Sequence, residues 1–372
     1  MARKTTAISF DIDHMDPMGQ GVSRDGKTVT FIANTLPGES GSARVYKKSR
    51  GVRFAVLDTL SRSAENRCAP QCPHFQQCPG CHYLHTDYAS ELQYKRQALA
   101  RHLSPLGVGD ESIELVPATR RLAYRNRVQL HYRHKYIGML DPVSNKVVEI
   151  PHCQIFRAEL QPAFNKLYED KSWCSAHPGH GHCELYVKDG EVSTQWNADY
   201  AHGGFSQVYD EMNKELQLRV QAHLTELSAN TVLDLFSGRG NLSNTFSAQG
   251  GERTLVDSYW GDEDGRPPQN FVKLDLFGEH ALRLFLARWR KKQFDTLLVD
   301  PPRRGFPNLD SWVKKIKPRH LLYVSCNPAS LARDLRSLSA KHTVGRVQLL
   351  DFFPATYHFE TLVHVRFKSG GR

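Results

Sequence analysis

Apolar residues in the last third of the chain form short continuous runs, each ending at a polar or glycine-rich turn. The runs Thr231–Leu233, Phe294–Val299 and Leu321–Val324 have the length and composition of buried strands. Between such runs the segment Tyr209–Leu227 repeats its apolar residues with helical spacing, and Leu331–Leu338 is also predicted to be helical. This alternation predicts a C-terminal α/β domain of the Rossmann-like kind.

The first 63 residues have a different pattern of short apolar runs separated by turn signals. Close spacing of this sort is typical of a small β-barrel of the oligonucleotide-binding (OB-like) kind. The runs are Ala7–Phe10, Thr28–Ile32, Ala43–Tyr46 and Phe54–Leu57.

The middle of the chain combines one helix with antiparallel strands. A helix is predicted over Thr86–Leu103, and Tyr124–Ile150 and Cys183–Trp196 alternate as strands do. We therefore predict a multidomain protein with domains at residues 1–63, 64–204 (α+β) and 205–372, in which the helical segment of about 84–116 is a candidate to pack on the last domain.

Charge and composition change the picture by suggesting a partner. The formal net charge of +10 favours a polyanion such as nucleic acid. A basic and aromatic stretch supports RNA binding, although a solvated strand face explains it equally well. The residues of that stretch are Arg120, Arg121, Tyr124, Arg125, Arg127, Tyr132, Arg133, Lys135 and Tyr136.

The ends and the apolar runs of the chain bear on its location. No signal-like apolar segment follows the first residues, and no stretch has the length needed to cross a bilayer. We expect a cytoplasmic protein with no membrane contact and no obligate protein partner.

Three cysteines within ten residues predict a metal site rather than disulfides. Cys72, Cys78 and Cys81 are separated by five and then two residues, a spacing closer to iron–sulfur sites than to zinc sites. Cys153 is the first candidate for the fourth ligand. The alternatives are Cys68, Cys174 and Cys183.

Candidate catalytic groups stand at the ends of predicted strands. Cys326 follows the run ending at Val324 and precedes a helix, a position where open α/β sheets bind ligands. Taken alone, it would more simply be a small buried hydrophobe. Two carboxylates change that interpretation, because Asp300 begins an Asp-Pro-Pro-Arg segment after another strand and Glu360 precedes the last strand. A thiol nucleophile with a nearby acid or base is therefore predicted.

A glycine-containing turn predicts a nucleoside cofactor in the same domain. The turn Asp234–Asn241 follows a strand and contains Gly238 and Gly240, while Asp257 ends the next strand and could bind ribose hydroxyls. No Gly-Lys-Ser/Thr follows, so a phosphate-binding P-loop is excluded.

Together these segments resemble the S-adenosylmethionine-dependent RNA uracil-5-methyltransferases. The resemblance covers about the last 170 residues. The segments that carry it are Phe205–Gln207, Asp234–Asn241, Asp300–Arg303, Ser325–Pro328 and His358–Thr361. The N-terminal module resembles a TRAM domain, and the cysteines resemble the ligands of a [4Fe–4S] cluster, as in the 23S ribosomal RNA branch of the family.

The resemblance implies a role for each matching residue. It makes Cys326 the nucleophile and Glu360 the general base. It gives the cluster Cys72, Cys78, Cys81 and Cys153. It places around the S-adenosylmethionine and the target base Gln207, Phe236, Asn241, Asp257, Asp275 and Asp300. It implies methyl transfer to carbon 5 of a uridine in RNA, with 23S rRNA preferred as substrate.

Two features depart from the family pattern. Tyr209 stands where the family usually has Asn, and the linker from Asp257 to Phe271 is too rich in Gly and Pro for a crossover helix. The alternatives are a transfer-RNA enzyme of the same family, an amino-methyltransferase and a non-catalytic RNA-binding iron–sulfur protein. Asp-Pro-Pro followed by Arg303, rather than by an aromatic residue, argues against the amino-methyltransferase.

Overall fold

The computed structural model describes residues 6–188, 190–199, 207–260 and 265–368. Its strands are β1 Thr6–Asp11, β2 His14–Met15, β3 Gly21–Asp25, β4 Thr28–Ala33, β5 Ser40–Ser49, β6 Val52–Arg62, β7 Ile113–Val116, β8 Arg127–Arg133, β9 Tyr136–Leu140, β10 Val147–Val148, β11 His180–Lys188, β12 Glu191–Trp196, β13 Thr231–Leu235, β14 Glu252–Asp257, β15 Phe271–Lys273, β16 Thr296–Val299, β17 His320–Ser325, β18 His342–Leu350 and β19 Glu360–Phe367. Its α-helices are α1 Tyr88–Leu103, α2 Gln161–Glu169, α3 Trp173–Ala176, α4 Asp210–Glu226, α5 Asn244–Ala248, α6 Ala281–Trp289, α7 Leu309–Ile316 and α8 Pro328–Ser337. Short 3-10 turns lie at Ser104–Leu106, Asp110–Ser112 and Ala158–Leu160.

Contacts between residues divide the chain into two compact units. The first combines the described residues of 1–98, 118–210 and 353–358, and the second those of 99–117, 211–352 and 359–372. The chain therefore passes between the units several times. The domain boundaries predicted at residues 63 and 204 concern folding modules and remain a prediction.

The N-terminal strands of the first unit form a six-stranded sheet. Its order is β1-β5-β6-β4-β3-β2, and all neighbours are antiparallel except β4 and β6. Each apolar run predicted to be a strand lies in one of these strands, and a small core contains Phe10, Ile32 and Val45. The outer strands β1 and β2 share no ladder, so the structure shows a sheet, and its closure into a barrel remains a prediction.

A second, antiparallel sheet of the first unit has the order β10-β9-β8-β11-β12. The basic and aromatic stretch enters this sheet and does not form one exposed surface. Arg127 is buried and forms a salt bridge of 3.1 Å with Glu184, and the rings of Tyr124 and Tyr132 are also buried. Arg133, on the same face but at the far end of β8, is exposed, so the position along the strand and the pairing with Glu184 separate these basic residues.

The second unit is built on an eight-stranded mixed sheet of order β15-β14-β13-β16-β17-β19-β18-β7. The strands from β15 to β17 are parallel, and β19 pairs antiparallel with both β17 and β18. The predicted α/β fold is confirmed. Leu99, Leu103 and Ile113 lie in the core of this unit, where β7 forms the edge strand beside β18.

The linker between β14 and β15 contains no helix in its described residues, 258–260 and 265–270. The two strands are nevertheless paired in parallel, with Leu255 opposite Phe271. Among the described parts of the chain, no helix is both long and apolar enough to cross a membrane.

Packing around α6 provides a test of the core of the second unit. Phe285 is 1% exposed and its ring lies 5.2 Å from that of Trp312, whereas Leu284 on the same helix is 57% exposed. Phe285→Ala should destabilise this unit by about 3–5 kcal/mol, because it removes buried area and leaves a cavity. Urea unfolding measured by tryptophan fluorescence should show the lower midpoint. Leu284→Ala is the control, and an equal loss in both variants would contradict the packing described.

Candidate active site

Cys326 lies on a tightly fixed turn between β17 and α8. Asn327 caps the helix, because its side-chain oxygen accepts a hydrogen bond of 3.1 Å from the Ala329 amide. The Ser325 hydroxyl oxygen accepts a second bond of 3.1 Å from the Asn327 amide. Pro328 occupies the first turn of the helix, where its missing N–H has no cost. The predicted strand, turn and helix are confirmed, and the thiol stands at the carboxyl end of a strand.

Glu360 is brought to Cys326 by the register of the sheet. It is the first residue of β19, and the last described pair of β17 and β19 joins Ser325 to Thr361. Cys326 follows Ser325 and Glu360 precedes Thr361, and the two side chains interact electrostatically. The Glu360 side chain is 5% exposed. Two residues 34 positions apart are thus brought to the same edge of the sheet.

Asp300 reaches the same edge from β16, the parallel neighbour of β17. The segment after Asp300 is bonded to the turn that carries Cys326, because the side-chain nitrogen of Asn327 donates to the Arg303 backbone carbonyl at 2.8 Å. The Asp334 carboxylate accepts bonds of 2.6 Å from the Phe306 amide and the Tyr323 hydroxyl. These bonds hold the Asp-Pro-Pro-Arg segment against α8 and β17.

Gly305 is required by the same turn. Its φ is +72°, and a side chain there would meet the Asp334 carboxylate at 2.4 Å. The left-handed backbone lets the segment bend back over the start of α8.

Burial and mutual repulsion govern the protonation of this site. Burial, followed by the neighbouring Glu360, raises the pKa of the Cys326 thiol to about 12, and Arg303 opposes this. Burial also raises the pKa of Asp300 to about 7. The pKa of Glu360 is raised well above its usual range, first by burial and then by Asp300, with Arg303 again opposing. The three acids are therefore close enough to interact, and burial favours the uncharged form of each.

The predicted cofactor turn joins β13 to α5. Phe236 has a φ of +60°, and Gly240 has a φ of +81°. The Asp257 carboxylate accepts a hydrogen bond of 2.8 Å from the Gly238 amide, so the acidic strand end fixes the turn. Asp234, just before the turn, is buried, bonds to the Ser243 hydroxyl at 2.6 Å and has its pKa raised to about 7 by burial.

Not all the residues assigned by resemblance take a position that favours cofactor binding. The Asn241 side-chain amide bonds to Gln217 at 2.7 Å and to Asn213 at 2.8 Å, so α4 engages both its polar atoms. Asp275 is exposed and accepts a bond of 3.0 Å from the Phe277 amide. The roles of these two residues, and of Phe236 and Asp257, remain predictions.

Gln207 belongs to the first unit, and its role also remains a prediction. Its backbone carbonyl accepts a hydrogen bond of 3.1 Å from Asn126. Phe205 and Ser206, which belong to the same motif, lie outside the described residues.

Sequence reasoning gave no role to three residues that shape the site. Arg303 and Asn327 lie inside the motifs that contain Asp300 and Cys326. Their residue types and their positions beside those two residues could have indicated a role in the site. Asp334 sits in the middle of α8 with no local pattern to mark it. Its function in bracing the turn depends on Tyr323 and Phe306, which only the fold brings to it.

The four predicted cluster cysteines line one cavity of about 270 Å³ in the first unit. All are free thiols, and the three alternatives Cys68, Cys174 and Cys183 do not line this cavity. Burial first, and then repulsion from Cys153 and Cys78, raises the pKa of Cys81 well above its usual range. Burial raises the pKa of Cys153 to about 12. Four thiolates could be held here only with compensating positive charge.

In the part of the chain that the structure describes, no group of three or more His, Cys, Asp and Glu side chains is arranged to hold a metal ion. The metal site predicted at these cysteines therefore remains a prediction.

Comparison with known proteins supports the interpretation of both units. The family model described as tRNA (Uracil-5-)-methyltransferase matches residues 281–368, which include Asp300, Cys326 and Glu360. The chain is 28% identical to the 23S rRNA (uracil(1939)-C(5))-methyltransferase RlmD of Klebsiella pneumoniae (strain 342), covering 96% of this chain and 95% of that protein. It is 26% identical to the protein of the same name from Shewanella sp. (strain W3-18-1), covering 95% and 94%.

A solved structure has the same fold over nearly the whole chain. It is the Pyrococcus abyssi tRNA (uracil-54, C5)-methyltransferase in complex with S-adenosyl-L-homocysteine, with a TM-score of 0.70 and 21% identity. The similarity covers 96% of this chain and 99% of that chain. The solved structure thus shares the fold of this chain, and the family model and the relatives show that the chain is similar to RNA uracil-5-methyltransferases.

Proposed function

We propose that the protein methylates carbon 5 of a uridine in 23S rRNA, through a covalent bond between Cys326 and the uracil. The observation that carries the mechanism is that Cys326 and Glu360 flank the last β17–β19 pair, Ser325 with Thr361, and interact electrostatically, with Asp300 and Arg303 close enough to shift their pKa values. The two relatives that match this chain over its full length support 23S rRNA as the substrate.

Carbon 5 of uracil is a poor nucleophile toward a methyl group. The reaction therefore requires a protein nucleophile that first adds to the ring and activates carbon 5. The Cys326 thiolate adds to carbon 6, and the electron pair of the broken carbon 5–carbon 6 double bond forms an enolate. When bound, S-adenosylmethionine supplies an electrophilic methyl group on a cationic sulfur, and the enolate carbon takes that methyl. Glu360, as a carboxylate, then removes the proton from carbon 5, and the carbon–sulfur bond breaks to release the thiolate and 5-methyluridine.

The raised pKa values have a direct consequence for this sequence of steps. Cys326 must lose its proton before addition, and Glu360 must be a carboxylate after methyl transfer. Arg303 is the group in the described site that favours both charged forms. We propose that Arg303 stabilises the Cys326 thiolate, whose proton passes to solvent, and that Asp300 holds the polar edge of the uracil. The target base must leave the RNA stack to reach this edge of the sheet.

We also propose that Cys72, Cys78, Cys81 and Cys153 bind a [4Fe–4S] cluster. The fit rests on four thiols around one cavity. The spacing of Cys72, Cys78 and Cys81, five and then two residues, is closer to iron–sulfur sites than to zinc sites. Methyl transfer involves no electron transfer, so the cluster is assigned a structural or RNA-positioning role.

The proposed function predicts different failures for Cys326 and Glu360. Glu360→Gln should add to the uracil and transfer the methyl, then stall as a covalent RNA adduct, because loss of a general base costs about 10²–10⁴ in rate. Cys326→Ala should bind RNA and form no adduct. The measurement is a denaturing gel after incubation with methyl-labelled cofactor and unmodified 23S rRNA, with tRNA in parallel, followed by mapping of the labelled nucleotide.

Each outcome of that experiment separates one alternative. Label on tRNA alone would replace the rRNA assignment. Normal turnover by Glu360→Gln would make Glu360 structural and leave Asp300 as the proton acceptor. Absence of label on either RNA, with no cofactor binding by calorimetry, would favour a non-catalytic RNA-binding protein.

The pKa of Cys326 can be tested in the absence of RNA. Because that pKa is about 12, the thiolate fraction should rise about tenfold per pH unit across the accessible range. Alkylation of the Cys326 peptide by iodoacetamide, followed by mass spectrometry, should still accelerate at pH 10, where an ordinary thiol of pKa about 8.5 has levelled off.

The neighbouring arginines provide the control for this measurement. Arg303→Gln should slow alkylation by removing the cation that lowers the pKa of Cys326. Arg304→Gln should leave alkylation unchanged, because the Arg304 guanidinium is stacked on Phe277. A plateau at pH 8–9 in the unmodified protein would contradict the proposed burial of the thiol.

The cluster assignment predicts brown protein that contains iron and sulfide and loses colour in air. Cys153→Ser should lower the iron content, because it removes one of the four ligands. Cys174→Ser, which does not line the cavity, should retain it. Colourless protein with stoichiometric zinc and full activity would exclude the cluster.

A further inference from the structure

A buried carboxylate on α1 is bonded to more groups than charge balance requires. Glu91 is fully buried and accepts bonds of 2.8 Å from Lys95, 2.9 Å from Arg121 and 2.7 Å from the backbone amide of Ala355. The two cations, Lys95 and Arg121, already more than balance the single negative charge of the carboxylate. The third bond ties it to a segment more than 260 positions away in the sequence, within the same compact unit.

That segment is Phe353–His358, and each of its first three backbone carbonyls accepts a hydrogen bond. The Phe353 carbonyl accepts a bond of 3.2 Å from Lys95, and the Pro354 carbonyl accepts one of 3.1 Å from the Tyr124 hydroxyl. The Ala355 carbonyl accepts bonds of 2.7 Å and 3.0 Å from the backbone amides of His82 and Tyr83. The backbone of the segment is therefore fixed by helix α1 and by the residues after Cys81.

Ala355 adopts a backbone conformation that alanine avoids. Its φ is +68°, in the left-handed region that favours glycine. Residues held in such conformations persist where their surroundings force them, and they cluster at functional sites. Here the Ala355 amide donates a hydrogen bond to the Glu91 carboxylate, and the Ala355 carbonyl accepts hydrogen bonds from two backbone amides. These three bonds hold Ala355 in this conformation.

The segment leads directly into β19. Its last residue, His358, is two positions before Glu360, and its amide donates to the Thr356 hydroxyl at 3.1 Å. Thr356 in turn donates to the Phe353 carbonyl at 2.8 Å, which closes the turn internally. The backbone that enters the strand carrying Glu360 is thus set by the conformation of Ala355.

We propose that Glu91 is a positioning residue for the general base: it holds the Ala355 turn so that β19 begins with Glu360 opposite Cys326. This inference rests on the proposed function, since it assigns Glu91 to the step that Glu360 performs. Glu91 itself lies with Lys95 and Arg121 and takes no part in the chemistry.

A purely stabilising role for Glu91 makes a different prediction. Removing one partner of a buried ion pair is destabilising anywhere in a protein. Glu184, buried with Arg127 in the second sheet of the same unit, is the matched control. Both Glu91→Gln and Glu184→Gln should lower stability, and only Glu91→Gln should alter catalysis per folded molecule.

The experiment uses the full-length protein with 23S rRNA and methyl-labelled cofactor. Glu91→Gln, and Glu91→Gln with Lys95→Met to avoid an unpaired buried ammonium, should lower kcat by about 10- to 100-fold. They should accumulate the same labelled covalent adduct that is predicted for Glu360→Gln, because addition and methylation proceed while proton removal is slow. Cofactor affinity should be unchanged.

Ala355→Gly provides a rescue that a stabilising role would not give. Glycine adopts the left-handed conformation without strain. In the Glu91→Gln background it should therefore recover part of the lost kcat and reduce the adduct. Hydrogen exchange at the Ala355 amide should be faster in Glu91→Gln than in the unmodified protein and in Glu184→Gln.

The outcomes distinguish this proposal from the function on which it rests. If Glu360→Gln forms no adduct, Glu360 is not the general base, while exchange at Ala355 still decides whether Glu91 holds the turn. If Glu91→Gln turns over normally per folded molecule, or exchange at Ala355 is unchanged, Glu91 is not a positioning residue.

Discussion

Strand β19 lies antiparallel between β17 and β18, and the active site depends on that insertion. Parallel strands bring their carboxyl ends to one edge of a sheet, which suffices for Asp300 and Cys326. Glu360 is at the beginning of its strand, so it reaches the same edge only because β19 runs the other way. β19 is paired along both edges and its first four residues are all buried, so its register is held by the two ladders together.

The same insertion creates an electrostatic problem that the chain resolves locally. Three acidic groups share the site, and burial raises the pKa of each, with repulsion adding to the shift at Cys326 and Glu360. Arg303 is the opposing charge, and its position is set by the bond from the Asn327 side chain to its carbonyl and by the bracing of the turn on Asp334. Groups with raised pKa values are suited to pass protons during a reaction, because their charged forms lie within reach of neutral pH once ligands bind.

Backbone geometry links the cysteine segment and the catalytic strand in the chain. The residues after Cys81 bond to the Ala355 carbonyl, and the Ala355 turn precedes β19. A cluster held by Cys81 would therefore stabilise a segment whose conformation matters for Glu360, which gives it a structural function that needs no electron transfer.

The amino-acid sequence determined the α/β fold, the strand-to-helix turn at Cys326 and the cysteines that share a cavity. Each depends on local signals: apolar runs, proline and glycine at turns, and spacing between ligands. Tertiary structure decided which groups meet. The closeness of Cys326 to Glu360 depends on strand order, and Glu91 reaches Ala355 across more than 260 positions. The basic stretch at residues 120–136, which the sequence suggested as one surface, is divided because Arg127 is buried against Glu184 of the neighbouring strand while Arg133 at the end of β8 is exposed. Local pattern fixes what each segment becomes, whereas long-range contacts depend on how strands pair, and pairing is a property of the whole sheet.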